Sequence, residues 1–96
     1  MSETIEVEPL GEHDYLVRAR HGGAVVESRF RSTADVLDRL GVSEADEQRV
    51  IEETASYLFE HQPVIDLPPM VDLDDMAAAF DDYIAQLRQR IAGAAG

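Results

Sequence analysis

The sequence contains no cysteine, no lysine and no tryptophan. Without cysteine there is no disulfide, no thiolate nucleophile and no cysteine ligand for zinc or an iron–sulfur cluster. All eight cationic side chains are arginines, which excludes a lysine nucleophile, a Schiff-base lysine and the lysine of a phosphate-binding P-loop. No segment approaches the roughly 18 consecutive apolar residues that a membrane span requires. These absences exclude several classes of enzyme and metalloprotein as functions of this chain.

Positive charge is also scarce, because 20 Asp and Glu residues face 8 arginines and give a formal net charge of −12. A chain of this charge repels phosphate backbones and anionic lipids at long range. We therefore expect neither a nucleic-acid partner nor a membrane partner. Residues 1–6 are acidic and lack the apolar stretch of a secretory signal, which predicts a cytoplasmic protein.

The length of 96 residues predicts one small domain over residues 1–96. Its apolar fraction of 45% is typical of a globular chain rather than a disordered one. The hydrophobic period changes near Ser32, from two to 3.6 residues. We expect strands over about 4–31, helices over about 33–92 and a frayed tail over 93–96.

The first third predicts a three-stranded antiparallel meander. Its strands are Thr4–Glu8, Tyr15–Arg20 and Ala24–Arg31, with a first turn at Leu10-Gly11-Glu12. A Gly22-Gly23 pair is typical of a two-residue type I′ hairpin. That turn places Tyr15 opposite Phe30, Arg18 opposite Glu27 and Asp14 opposite Arg31, and charge favours Glu6 opposite Arg18. One face of the sheet is then apolar and the other is charged.

The remainder predicts three helices packed on the apolar face, so the fold class is α+β. The first is Ala34–Leu40, capped by Ser32 or Thr33 and ended by Gly41. A second runs from a Ser43 cap to about His61 or Gln62. The third begins at an Asp72 cap and has one apolar stripe, made of Leu73, Met76, Ala77, Phe80, Tyr83, Ile84, Leu87 and Ile91.

The connector Gln62–Val71 contains three prolines and is predicted to be bent rather than helical. It carries more apolar residues than a solvated linker needs, so we expect it to pack on the core or on another subunit. The candidate interface consists of Tyr57, Phe59, Val64, Ile65, Leu67 and Met70. We expect a non-enzymatic protein–protein interaction module, whose partner is another protein or a second copy of this chain.

Two charged surfaces provide an alternative function. The charged sheet face carries Arg18, Arg20, Arg29 and Arg31, which would bind a small anion if they were not balanced by the acids on the same face. Those acids are Glu6, Glu8, Asp14 and Glu27. The last helix has an acidic face suited to a cationic partner, formed by Asp74, Asp75, Asp81 and Asp82.

No catalytic residue, metal ligand or cofactor is predicted. His13, His21 and His61 lack the i, i+4 spacing of a helical zinc site and have no evident substrate pocket or orienting partner. The stretch that begins at Asp72 departs from a calcium loop, because Ala77 replaces the required glycine and Tyr83 the required glutamate. We therefore expect the protein not to be an enzyme.

Short stretches of the chain resemble a group of small function-unknown proteins of GC-rich actinobacteria. These stretches are residues 46–50 (Asp-Glu-Gln-Arg-Val) and 57–60 (Tyr-Leu-Phe-Glu), followed by Pro63 and preceded by three short strands. The connector after the proline, with Val64 and Ile65, departs from the polar segment expected there. The resemblance implies no catalytic or binding residue.

Overall fold

The computed structural model describes residues 4–21, 23–63 and 66–95. Three long strands come first: β1 (Thr4–Gly11), β2 (Asp14–His21) and β3 (Ala24–Arg31). Helix α1 (Ala34–Leu40) and a 3₁₀ turn (Glu44–Asp46) lead into the longest helix, α2 (Glu47–His61). After the connector come a short strand β4 (Met70–Asp72) and the helices α3 (Leu73–Ala79) and α4 (Tyr83–Ala95). The α+β class is confirmed.

The predicted hairpin register is confirmed. Tyr15 pairs with Phe30, Arg18 with Glu27, and Glu6 with Arg18, all antiparallel. The predicted type I′ geometry lies outside the described residues, because it depends on Gly22. The first turn differs slightly: β1 continues to Gly11, and Glu12 and His13 form the tip with positive φ values of 53° and 69°.

In the part of the chain that the structure describes, the sheet has four strands, so the prediction of three is wrong. Strand β4 pairs with β3 in parallel, with Arg29 facing Met70 and Phe30 facing Val71. The order is β1-β2-β3-β4, and the sheet is mixed. A three-residue strand next to two prolines shows too little alternation to be seen in the sequence. It forms because Val71 is buried in the core beside the strand that carries Phe30.

The predicted last helix is two helices, so the prediction of three helices in all is also wrong. The chain leaves helical geometry at Phe80, which has extended φ and ψ values of −120° and 112°. Helix α4 then continues to Ala95, beyond residue 92 where the prediction ended it. The apolar stripe is nevertheless confirmed as core-facing, since its members on both sides of the break are buried or half-buried against the core.

Local signals account for most helix ends. Thr33 caps α1 by accepting a hydrogen bond from the Val36 amide at 3.3 Å, and Gly41 ends it in the left-handed conformation with a φ of 74°. Asp72 caps α3 through the Asp74 amide at 2.9 Å. Ser43 is the N-cap residue of the 3₁₀ turn that leads into α2, but its side chain makes no capping hydrogen bond and α2 itself begins only at Glu47.

The helices cover one face of the sheet. The β2 side chains that point toward them (Tyr15, Val17 and Ala19) are buried together with Phe30 of β3. On the opposite face, Arg20, Glu27 and Arg29 are exposed. The core thus lies between the sheet and α2, with α1, α3 and α4 closing its remaining sides.

Candidate functional site: an apolar groove beside strand β4

The six predicted interface residues are divided by the structure. Met70 is exposed, with 55% of its surface accessible, and Phe59 is half-buried. Leu67 and Tyr57 are buried, so neither side chain is accessible to a partner. At Leu67 the connector packs on the core, which is one of the two predicted alternatives. Val64 and Ile65 lie outside the described residues. Only part of the predicted set is therefore available to a partner.

Tyr57 is buried because it lies at the centre of an aromatic cluster. Its ring lies 4.4 Å from the ring of His61, 5.6 Å from Phe80 and 5.5 Å from Tyr83, measured between centroids. Its hydroxyl donates a hydrogen bond to Asp82. The cluster packs the end of α2 against the break between α3 and α4. Tyr57 therefore has a structural role, holding the elements that shape the neighbouring surface.

A groove of about 210 Å³ lies where the end of α2, strand β4 and helix α3 meet. We call it the β4–α3 groove. Its apolar lining is supplied mainly by Leu58, Pro68, Met70, Met76 and Phe80. The β3–β4 pairing places Met70 at this position, and the turn at Phe80 directs that ring toward His61, 5.4 Å away between centroids. Of the predicted interface residues that the structure describes, Met70 lines the groove.

The polar lining of the β4–α3 groove is acidic. Asp72 and Asp75 contribute carboxylates and Gln62 an amide, and no cationic residue lines it in the part of the chain that the structure describes. Asp75 is exposed and stands in the first turn of α3, while Asp72 caps the same helix. An apolar depression with carboxylates at its margin can receive an apolar side chain that is followed by a positive charge.

The predicted acidic face of the last helix is interrupted by the break at Phe80. Asp74 and Asp75 belong to α3, whereas Asp81 and Asp82 lie in the turn before α4. Two of the four carboxylates are already engaged: Asp74 accepts from Thr33 at 2.8 Å, and Asp82 accepts from Tyr57. Asp75 is therefore the member of this set that lies in the groove with no hydrogen bond from a described side chain.

The four predicted anion-binding arginines all lie on the charged face of the sheet, but they are not equivalent. Arg18 forms an ion pair with Glu27 at 2.9 Å, and Arg20 approaches Glu6 at 3.6 Å. Within residues 4–21, 23–63 and 66–95, neither Arg29 nor Arg31 has a carboxylate oxygen within 4.0 Å.

The ion pair expected between Asp14 and Arg31 is absent, although the two residues face each other in the register. The Asp14 Oδ1 atom is instead buried without a described hydrogen-bond partner. Opposition in a register brings two Cβ atoms close, but the side chains can still adopt rotamers that point apart. The charged face is thus only partly neutralised by internal pairs.

A buried carboxylate that was not predicted joins the sheet to α2. Glu47 is only 5% exposed, and its Oε1 atom accepts a hydrogen bond from the Tyr15 hydroxyl at 2.7 Å. Its Oε2 atom lies 2.8 Å from Nδ1 of His13. The sequence did carry a signal, because Glu47 stands three and four residues before Val50 and Ile51 and shares their buried face.

The pKa values of Glu47, His13 and Tyr15 are all shifted by the contacts among these three groups. Burial acts to raise the pKa of Glu47, but the hydrogen bonds from Tyr15 and His13 outweigh it and place that pKa below its ordinary value. The hydrogen bond to Glu47 and its negative charge raise the pKa of His13. Burial, together with the same carboxylate, raises the pKa of Tyr15 to about 12.

A second depression, of about 250 Å³, lies beside His13 and is lined also by Leu37, Asp38, Val42 and Glu44. Nε2 of His13 is 4.0 Å from a Glu44 carboxylate oxygen. Among the described residues there is no group of three histidine, aspartate or glutamate side chains arranged to hold a metal ion. The contacts of the His13–Glu47–Tyr15 network join the β1–β2 turn to the start of α2.

No helix in the described part of the chain is both long and apolar enough to cross a membrane. Comparisons with protein-family models, with curated proteins and with solved structures give no match to this chain. The geometry of the chain itself is therefore the basis for proposing its function.

Proposed function

We propose that this chain is a non-enzymatic protein–protein interaction module of the cytoplasm and that the β4–α3 groove is its contact surface. The observation that carries the proposal is the apolar groove itself, in which the exposed Met70 and Pro68 stand beside the half-buried Phe80. Among the described residues only three large apolar side chains are exposed, namely Leu10, Val25 and Met70, and Met70 alone of these lines the groove. An apolar depression with an exposed apolar side chain at its margin is typical of a binding site.

The way the groove is built supports the same proposal. Its floor is formed by side chains that belong to the core, including Leu58 and Met76, which are buried. Its margin is formed by Met70 and Asp75, which are exposed. A contact surface supported by a packed core is rigid before the partner arrives, so binding orders few additional side chains.

A site-specific crosslink tests the proposal. A photoreactive amino acid replaces Met70 in one variant and Val25 in a matched control, which is equally exposed at 55% but does not line the groove. In cells that naturally produce the chain, we expect a discrete crosslinked product from position 70 and none from position 25. The product should disappear when Ala79→Tyr fills the groove. Equal products from both positions, or none from position 70, would contradict the proposal.

A second candidate function is the binding of a small anion at Arg29 and Arg31. The observation that favours it is the lack of a nearby described carboxylate at both positions. Titration with inorganic phosphate should then shift the backbone amides of β3 and leave those of α4 unmoved. In Arg29→Gln/Arg31→Gln the shifts should vanish, whereas Arg18→Gln, which lacks an ion-paired arginine, should retain them. Equal shifts in all three proteins would mean that the anion acts through bulk ionic strength.

A further inference from the structure

We infer that the partner segment held by the β4–α3 groove is an extended, basic stretch of a different protein, with one apolar anchor side chain flanked by lysine or arginine. This inference rests on the proposed function of the groove and specifies its occupant. It also resolves the choice between a foreign protein and a second copy of this chain. Three features carry it: the size of the groove, the sign of its charge and the open sheet edge beside it.

The size of the groove fits a single anchor side chain. A volume of about 210 Å³ is below the range of pockets for drug-sized ligands, which starts at about 300 Å³. It suits one leucine, methionine or phenylalanine side chain inserted between Leu58, Met76 and Phe80. Met70, exposed at the margin, provides a flexible thioether side chain that can adapt to the shape of such an anchor.

The charge at the groove favours a basic partner. Asp72 and Asp75 line it, and no cationic side chain lines it in the described ranges. Arg29 and Arg31, the register partners of Met70 and Asp72 in β3, lie outside the lining. A second copy would bring another net charge of −12 to a surface of the same sign. Like-charge approach costs free energy, whereas a lysine or arginine beside Asp75 gains a charge-assisted hydrogen bond. Charge complementarity thus selects a basic foreign segment.

The sheet edge favours an extended conformation for that segment. The Arg29 amide donates to the Pro69 carbonyl at 2.9 Å, and Arg29 faces Met70 in the parallel register. In this arrangement the peptide groups of Val71 point toward β3, and those of Met70 point to the opposite edge. No described strand pairs with that edge. An extended segment can bond to the Met70 peptide groups while its anchor enters the groove.

The test is a titration of the full chain, labelled with ¹⁵N, with synthetic peptides of about ten residues. The probe peptide has alternating valine and lysine around a central leucine. One control peptide replaces the lysines with glutamate, and another replaces the leucine with serine. We expect the probe alone to shift the amides of β4 and α3, and we expect its affinity to fall as salt is added. The Met70 amide should become protected from hydrogen exchange.

Matched variants locate the contact. Asp75→Asn should weaken the probe about threefold, the effect of losing one exposed charge pair. Glu52→Gln removes an exposed charge from α2 outside the groove and should leave the affinity unchanged. Ala79→Tyr should abolish binding by filling the groove. Thermal unfolding of each variant confirms that it is folded before its affinity is compared.

The outcomes separate this inference from the proposed function. A crosslink from position 70 without binding of the basic probe would overturn the inference and leave the function standing. Equal or tighter binding of the glutamate peptide, or of a helix-stapled version of the probe, would do the same. A concentration-dependent dimer that Ala79→Tyr dissociates would replace the foreign partner with a second copy. Absence of both the crosslink and the peptide contact would overturn both proposals.

Discussion

The hydroxyl of Tyr15 donates to the carboxylate of Glu47 across 2.7 Å, although the two residues are 32 positions apart in the chain. This bond connects the second strand to the first turn of the longest helix. It compensates for the burial of a charged group, which is costly when the group has no partner. His13 contributes the second bond to the same carboxylate.

The Tyr15–Glu47 bond can be tested by Tyr15→Phe. The ring remains in the core, but a buried carboxylate oxygen loses its hydrogen-bond donor. We expect the free energy of unfolding to fall by about 1–3 kcal/mol, the cost of leaving a buried acceptor unpaired. Urea unfolding followed by circular dichroism measures the difference. A change below about 0.5 kcal/mol, typical of surface substitutions, would show that water replaces the tyrosine hydroxyl.

The pH dependence of stability should reflect His13. Its pKa is raised in the folded protein by the hydrogen bond and charge of Glu47, so folding favours the protonated imidazole. The resulting stability is fully present below the ordinary histidine pKa of 6.5, which applies to the unfolded chain, and is lost as the pH rises through the higher folded value. Urea unfolding between pH 6 and pH 9 measures this loss.

A matched variant assigns that loss. In His13→Gln the decline of stability over the same interval of pH should disappear, because the titrating group is gone while a hydrogen-bond donor to Glu47 remains. The ¹H resonance of the His13 ring supplies the folded pKa directly. A folded pKa at or below 6.5 would contradict the hydrogen bond between the imidazole and the carboxylate.

Local patterns were sufficient to predict the sheet register. The Gly22-Gly23 pair and the alternation of Tyr15, Val17 and Ala19 all require the same pairing, and a slip of one residue would place Arg18 in the core. The bounds of α1 were equally predictable, because Gly41 ends it by adopting a conformation that other residues disfavour. These features depend on neighbours in sequence, whose effects can be read directly.

The candidate site was less predictable because tertiary contacts decide it. The helix break at Phe80 depends on the distant rings of Tyr57 and His61, which the ring of Phe80 contacts. Strand β4 depends on β3, which lies far earlier in the chain. The connector composition drew attention to the segment that contains the exposed Met70, but Tyr57 and Leu67, named with it as interface residues, fill the core.

The buried pair Thr54 and Tyr83 provides a third prediction. The Thr54 hydroxyl donates its only hydrogen to the Val50 carbonyl at 2.7 Å, so Tyr83 must be the donor in the 2.8 Å bond between the two hydroxyls. Burial raises the pKa of Tyr83, which keeps this donor protonated. Removing either partner therefore has different consequences.

Thr54→Val leaves the buried Tyr83 hydroxyl without an acceptor and should cost about 1–3 kcal/mol. Tyr83→Phe leaves Thr54 bonded to Val50 and should cost about 1 kcal/mol. The double variant should be less unstable than the sum of the two single variants, because the orphaned hydroxyl is gone. Urea unfolding of the wild type, the two single variants and the double variant measures the four free energies of this double-mutant cycle. Additive losses would show that the two hydroxyls are not coupled.

Substitutions at Gly41 test how much the left-handed conformation at the end of α1 depends on glycine. The φ of Gly41 is 74°, and a Cβ atom added there would meet nothing within 4 Å, so backbone strain is the only cost of a side chain. Gly41→Ala should lower the free energy of unfolding by about 1–2 kcal/mol, the penalty for an L-residue in the left-handed region. Gly41→Asn should lose less, because asparagine tolerates this conformation better. If both variants lost the same amount, the cost would come from something other than the backbone conformation at this position.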